Sequence, residues 1–196
     1  TMADEVATNF ISDMKAKGRK ALDWFKKIVR KTQRAAMPAT TGRREILTDR
    51  NTGIVTRPII GKLYLFQYDA KWKEKLPWWD MWPLIFPFDY AKGGFYGLNL
   101  HYLPPNARAD LMIRLIKAHG SGGKMDENFK MRLSYNIITK FRPAIPCIKR
   151  YLFSQVRGKG FYGISGEDWS YAASLPLQKF QNAPTTSVWR WSASQY

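Results

Sequence analysis

Few residues in this chain are of types that do covalent chemistry. His101 and His119 are its only histidines and Cys147 its only thiol. Either histidine would serve as a general base or a metal ligand, but neither has a second ligand at metal-binding spacing. Asp69, Asp80 and Asp89 would suit Mg²⁺-dependent phosphodiester cleavage if they converged across a sheet. Each also sits where turn capping explains it. The run HGSGGKM is superficially a phosphate-binding loop, yet that pattern needs Gly where Ala118 stands and Ser or Thr where Met125 stands. A lone cysteine makes neither an internal disulfide nor a cysteine-based zinc site, and packs as a small apolar side chain. The residues point to no enzyme, no cofactor, no metal and no small-molecule ligand.

Charge is the stronger signal. The 196 residues carry 32 Lys and Arg against 15 acids, a formal net charge of +17. Such a balance calls for a polyanionic partner. From Lys15 to Arg44 stand eleven bases (Lys15, Lys17, Arg19, Lys20, Lys26, Lys27, Arg30, Lys31, Arg34, Arg43 and Arg44) against one acid, Asp23. Each such base can displace a condensed counterion from a phosphate backbone, giving salt-dependent binding without sequence readout. Lys149, Arg150, Arg157 and Lys159 form a second basic cluster. An acidic protein neighbour would satisfy the same charges. The basic segment could also lie on a membrane with Trp24 and Phe25 at the interface, but it is read more simply as a contact for a polyanion such as double-stranded DNA or for an acidic protein partner. Charged residues interrupt every apolar run near the N-terminus, so neither a signal peptide nor a membrane span is expected.

The aromatic block KLPWWDMWPLIFPFDYAKGGFYGLNLHYLPP, residues 75–105, could stack single-stranded bases. Between Trp78 and Pro105, however, Lys92 is the only base. A stacking platform mixes its aromatics with cations, so the block reads as core plus a protein-contact face. Trp24, Trp78, Trp79 and Trp82 are the candidate interface anchors.

The elements that must hold these residues follow from periodicity. Leu22, Phe25, Ile28 and Val29 recur at helical spacing, predicting a basic helical arm that ends at the Pro38 and Gly42 linker. IIGKLYLFQY (59–68) reads as a strand. PLIFPFDY and GFYGLNLHYL read as a hairpin around AKGG, with Pro87 marking an edge or a bulge. NARADLMIRLIKAHG reads as a helix with Asn106 as N-cap and Gly120 as stop, and residues 129–140 as a short helix. FYGIS suits one more strand, and a helix capped by Ser165 follows it. The predicted class is α+β: a small antiparallel β-barrel of SH3-like kind over residues 59–103, with flanking helices. Residues 1–42 form the arm and linker, and 43–196 a single domain.

The stretch from Arg57 to Met112, with GFYGLNLHYLPP its most distinctive part, resembles a small virion protein of large contractile-tailed (T-even-like) bacteriophages, the DNA end protector or head-completion family. PCIKRYLFSQVR and VWR resemble its C-terminal half. Trp78-Trp79-Asp80 stands where the family favours Tyr-Tyr-Asp, an aromatic-for-aromatic change. The resemblance implies a structural protein, made in the host cytoplasm and carried in the virion, that binds the packaged DNA terminus at the head-to-tail neck beside other virion proteins. It brings no catalytic residues. A component of the tail baseplate or hub, contacting acidic neighbours, is the alternative.

Overall fold

The computed structural model describes residues 53–118, 140–164, 168–174 and 176–196. The basic arm with Trp24, and the helix expected over 129–140 except its last residue, fall outside them. Among these residues eight strands run in chain order: β1 (Ile54–Val55), β2 (Leu63–Tyr68), β3 (Trp79–Asp80), β4 (Leu84–Ala91), β5 (Gly94–Asn99), β6 (Ile148–Leu152), β7 (Val156–Ile164) and β8 (Phe180–Gln181). Among the described residues three α-helices complete the framework: α1 (Pro105–Ala118), α2 (Trp169–Ser174) and α3 (Thr185–Ala193). The main sheet is antiparallel with strand order β1-β7-β2-β4-β5-β6, and β3 pairs with β8 in a small second sheet.

The α+β class stands, but the sheet is not a closed barrel. β1 and β6 end the strand order and do not pair with each other. The sheet also reaches well beyond residues 59–103, taking two strands from 148–164 and one from 54–55. Only the three residues Phe153–Gln155 separate β6 from β7, yet these strands lie four places apart in the order. That link forces strong curvature. In a flat sheet β6 would sit about 14 Å from β2, three strand spacings of ~4.8 Å. Instead the rings of Phe66 on β2 and Tyr151 on β6 have centroids 5.5 Å apart. The curvature is absorbed where β7 advances from Arg157 to Tyr162 while β2 advances only from Leu65 to Gln67. Gly158 (φ 69°) and Gly160 (φ 126°) lie in this bulge, in backbone conformations that side chains with a Cβ rarely take.

Both faces of β2 are buried, which explains its unbroken apolar run. Leu63 and Leu65 join the larger cluster with Leu111 and Met112 of α1, Trp169 and Ala172 of α2, and Val188 of α3. Tyr64, Phe66 and Tyr68 face the concave side with Phe95, Tyr151 and Phe161. Phe66 is its hub, 4.7 Å from Phe161 and 6.2 Å from Phe95 between ring centroids. Pro87 marks a bulge, not an edge. β4 lies between β2 and β5, and its register against β5 shifts between Pro87 and Asp89. The helix after Pro104 starts at Pro105 rather than after Asn106, since proline at the first helical position needs no N–H partner.

A pocket at the open edge of the sheet

The loop between β2 and β3 carries Lys71, Trp72, Leu76, Pro77 and Trp78 over the outer side of β6. Together with Tyr102, Lys149, Tyr151 and Trp191 these residues enclose a pocket of about 540 Å³. The loop is tied down at its base. Asn182, held at φ 70°, donates from Nδ2 to the Lys73 carbonyl at 2.9 Å and the Leu76 carbonyl at 3.3 Å. Trp72 remains 57% exposed, with the Lys71 and Lys75 ammonium groups 5.2 and 5.5 Å from its ring centroid. Trp78 meets Trp191 edge-to-face at 5.3 Å, and Tyr102 meets Trp191 at 6.4 Å.

Lys149 is the cation of this site that packs against its rings. Its Nζ lies 4.2 Å from the centroid of Tyr102 and 5.1 Å from that of Trp191. Burial lowers its pKa, because the charged form loses water. No carboxylate among the described residues pairs with it. The attraction of the two ring faces partly replaces hydration, each contact contributing about 0.5–2 kcal/mol.

Beneath the pocket lies a buried polar network. His101 Nδ1 and Asp80 Oδ2 are 2.7 Å apart, and Asn99 Nδ2 donates to Asp80 Oδ2 and to the Tyr151 hydroxyl, both at 3.1 Å. Asp80 Oδ1 accepts from the Trp82 and Lys179 amides at 3.0 and 3.1 Å. Burial opposes ionisation of Asp80, but His101 and these donors hold its carboxyl below the usual carboxylate range. Burial pushes His101 below its ordinary value despite the adjacent carboxylate. The pair is therefore a carboxylate accepting from a neutral imidazole. Asp80 and His101 are 3% and 0% exposed, and Asp80 borders the pocket with both oxygens already engaged by protein donors. They join β3, β8 and the turn after β5. Arg108 is also buried, donating from Nε to the Leu100 and Leu103 carbonyls at 3.0 and 2.6 Å and from Nη2 to Gln178 Oε1 at 2.6 Å. Burial lowers its pKa to about 10.

The structure separates the residues of the second basic cluster. Lys149 enters the pocket wall, while Arg150 is exposed at its rim and donates to the Lys92 carbonyl at 3.0 Å. Arg157 lies on β7, paired with Asp69 at 3.4 Å, and Lys159 stands half-exposed farther along that strand. Of the tryptophans expected at an interface, Trp82 is 2% and Trp79 9% exposed, so both serve mainly the protein's own core. Trp78 lines the pocket, and Trp79 also borders it. Trp72, Tyr102 and Trp191 were missed by sequence reasoning. The cations flanking Trp72 in KWKEK were a signal for it, whereas nothing local marks Tyr102 or Trp191. Asp69, Asp80 and Asp89 do not converge, and no three His, Cys, Asp or Glu side chains gather as metal ligands among the described residues. Cys147 is buried, and burial raises its pKa to about 12. Among the described residues no helix is long and apolar enough to cross a membrane.

The described residues thus form an α+β fold with an open-edged sheet and a pocket lined by rings and cations. A family model of the phage T4 terminal DNA protecting protein matches residues 2–194, and the chain belongs to that family. It is thus a phage protein whose role is structural, at DNA termini. No curated protein and no solved structure gives a significant match.

Proposed function

We propose that the protein caps the end of the packaged genome without catalysing a reaction, and completes the head at its junction with the tail in contact with other virion proteins. The observation that carries the DNA contact is the charge: eleven of 32 bases lie within residues 15–44, beside a single acid. A duplex held by that segment is bound through its phosphates, independently of sequence. The Asp80–His101 pair, the arrangement closest to a catalytic dyad, is buried with its carboxylate oxygens taken up by Asn99 and two backbone amides, which supports a binding role.

Exonuclease digestion of a linear duplex tests the reading. The full chain is expected to slow degradation from the ends at low salt, to lose that effect as salt rises, and to cut neither linear nor circular DNA with Mg²⁺. Ends degraded at the same rate with and without saturating protein would overturn it. Labelling the protein in intact particles tests the placement, and a signal at the baseplate would overturn the head-completion role.

A further inference from the structure

We propose that the pocket beside β6 receives the last nucleotide of a DNA strand, unstacked from the duplex, with its base against Trp72, Trp78 and Trp191 and its phosphate at Lys149. The inference rests on the DNA-terminus reading and specifies which part of the terminus the protein holds.

Lys149 is a half-buried ammonium group met, among the described residues, by the rings of Tyr102 and Trp191 at 4.2 and 5.1 Å and by no carboxylate. Ring faces are soft, partial counter-charges, so the full counter-group missing from this wall is an anion. A cationic ligand would be repelled by Lys149 and by Arg150 at the rim. A wholly apolar ligand would bury the ammonium further with no partner. Asp80 is the only acid in the lining, and its oxygens are already taken up by His101, Asn99 and two backbone amides. The ligand that fits is flat, aromatic and anionic.

A nucleotide has those properties, and the volume of about 540 Å³ lies within the range of ~300–1,000 Å³ typical of sites for one small ligand. A base stacked within duplex DNA hides both faces. The bases that can leave the stack most easily are those at a strand end, where only one neighbour holds them. Stacking on indole and phenol rings tolerates any base, as recognition of a terminus irrespective of sequence requires. Trp72 stands exposed at the mouth with Lys71 and Lys75 over its ring, placing aromatic surface and positive charge along the way in.

The test uses the full chain and three labelled DNAs of one sequence: a hairpin with one blunt open end, the same hairpin with three unpaired 3′ thymidines, and a dumbbell with no end. Binding by fluorescence anisotropy is expected to be roughly tenfold tighter for the extended end than for the dumbbell, the effect of about one stacked base. Trp72→Ala and Lys149→Met are each expected to remove that preference, so that the extended end binds no tighter than the dumbbell, with Arg150→Gln as a further variant should Lys149→Met unfold. Short oligothymidylate is expected to quench tryptophan emission of the wild type but not of Lys149→Met. If the blunt end outcompetes the dumbbell but neither unpaired thymidines nor the substitutions alter binding, the pocket proposal falls and the end-binding reading survives. If no open end outcompetes the dumbbell, the end-binding reading falls, while quenching by oligothymidylate still decides the pocket. Quenching by a proline-rich peptide and not by oligothymidylate would overturn the nucleotide assignment.

Discussion

Asp80 and His101, on β3 and on the turn after β5, share a 2.7 Å hydrogen bond inside the protein, shielded from solvent. Removing the carboxylate leaves His101, Asn99 and the Trp82 and Lys179 amides without their acceptor. Asp80→Ala is therefore expected to cost several kcal/mol, about 1–3 kcal/mol for each buried donor left unsatisfied, read from the midpoint of urea unfolding. A loss below about 1 kcal/mol would show that these donors find other acceptors.

The same pair makes stability fall in acid. His101 is held below its ordinary value of 6.5, so as pH drops through 6.5 the unfolded chain takes up a proton that the folded chain resists. Asp80 is held below 3.8 and adds a second loss as pH drops through that value. The melting temperature is expected to be flat above about pH 7 with respect to this pair, then to fall in two stages. His101→Gln should flatten the first stage and keep the second. An unchanged first stage in the variant would assign it to other groups.

Two tryptophans in the same part of the chain should behave oppositely. Trp82, 2% exposed, fills the larger core, and Trp82→Ala is expected to cost about 3–5 kcal/mol. Trp72, 57% exposed, should tolerate alanine within about 0.5 kcal/mol. Parallel denaturation curves of the two variants check both values.

Gly160 tests the curl of the sheet. At φ 126° an added Cβ would stand 2.5 Å from the Val55 carbonyl oxygen, so Gly160→Ala combines backbone strain with a clash against β1. Gly93, at φ 73° with nothing within 4 Å of an added methyl, meets only the left-handed penalty of about 1–2 kcal/mol. Gly160→Ala should cost clearly more than Gly93→Ala in thermal melts; equal costs would mean that β1 yields freely.

Salt dependence separates the arm from the pocket. Replacing Lys26 and Lys27 with glutamine should lower the slope of log K against log[salt] by about 1.8, roughly 0.9 per lost phosphate contact. An unchanged slope on duplex DNA would remove these two lysines from the phosphate contacts.

Much of this protein is legible in its residues. The charge concentrated between Lys15 and Arg44, the β4–β5 hairpin around AKGG, and the irregularity at Pro87 (an edge or a bulge, which strand order then decided) follow from near neighbours, because backbone chemistry and side-chain alternation act over a few residues. The family, too, is readable from the aromatic block and its flanks. Tertiary structure decided how that block is used. Judged alone it lacked cations, yet β6 pairs with β5 so that Lys149 stands opposite Gly97 and reaches Tyr102, while α3 delivers Trp191 from the far end of the chain. It also decided that the sheet stays open, because β7 lies between β1 and β2 instead of pairing with β6. Such pairings depend on which distant surfaces bury each other, and no local pattern encodes that choice.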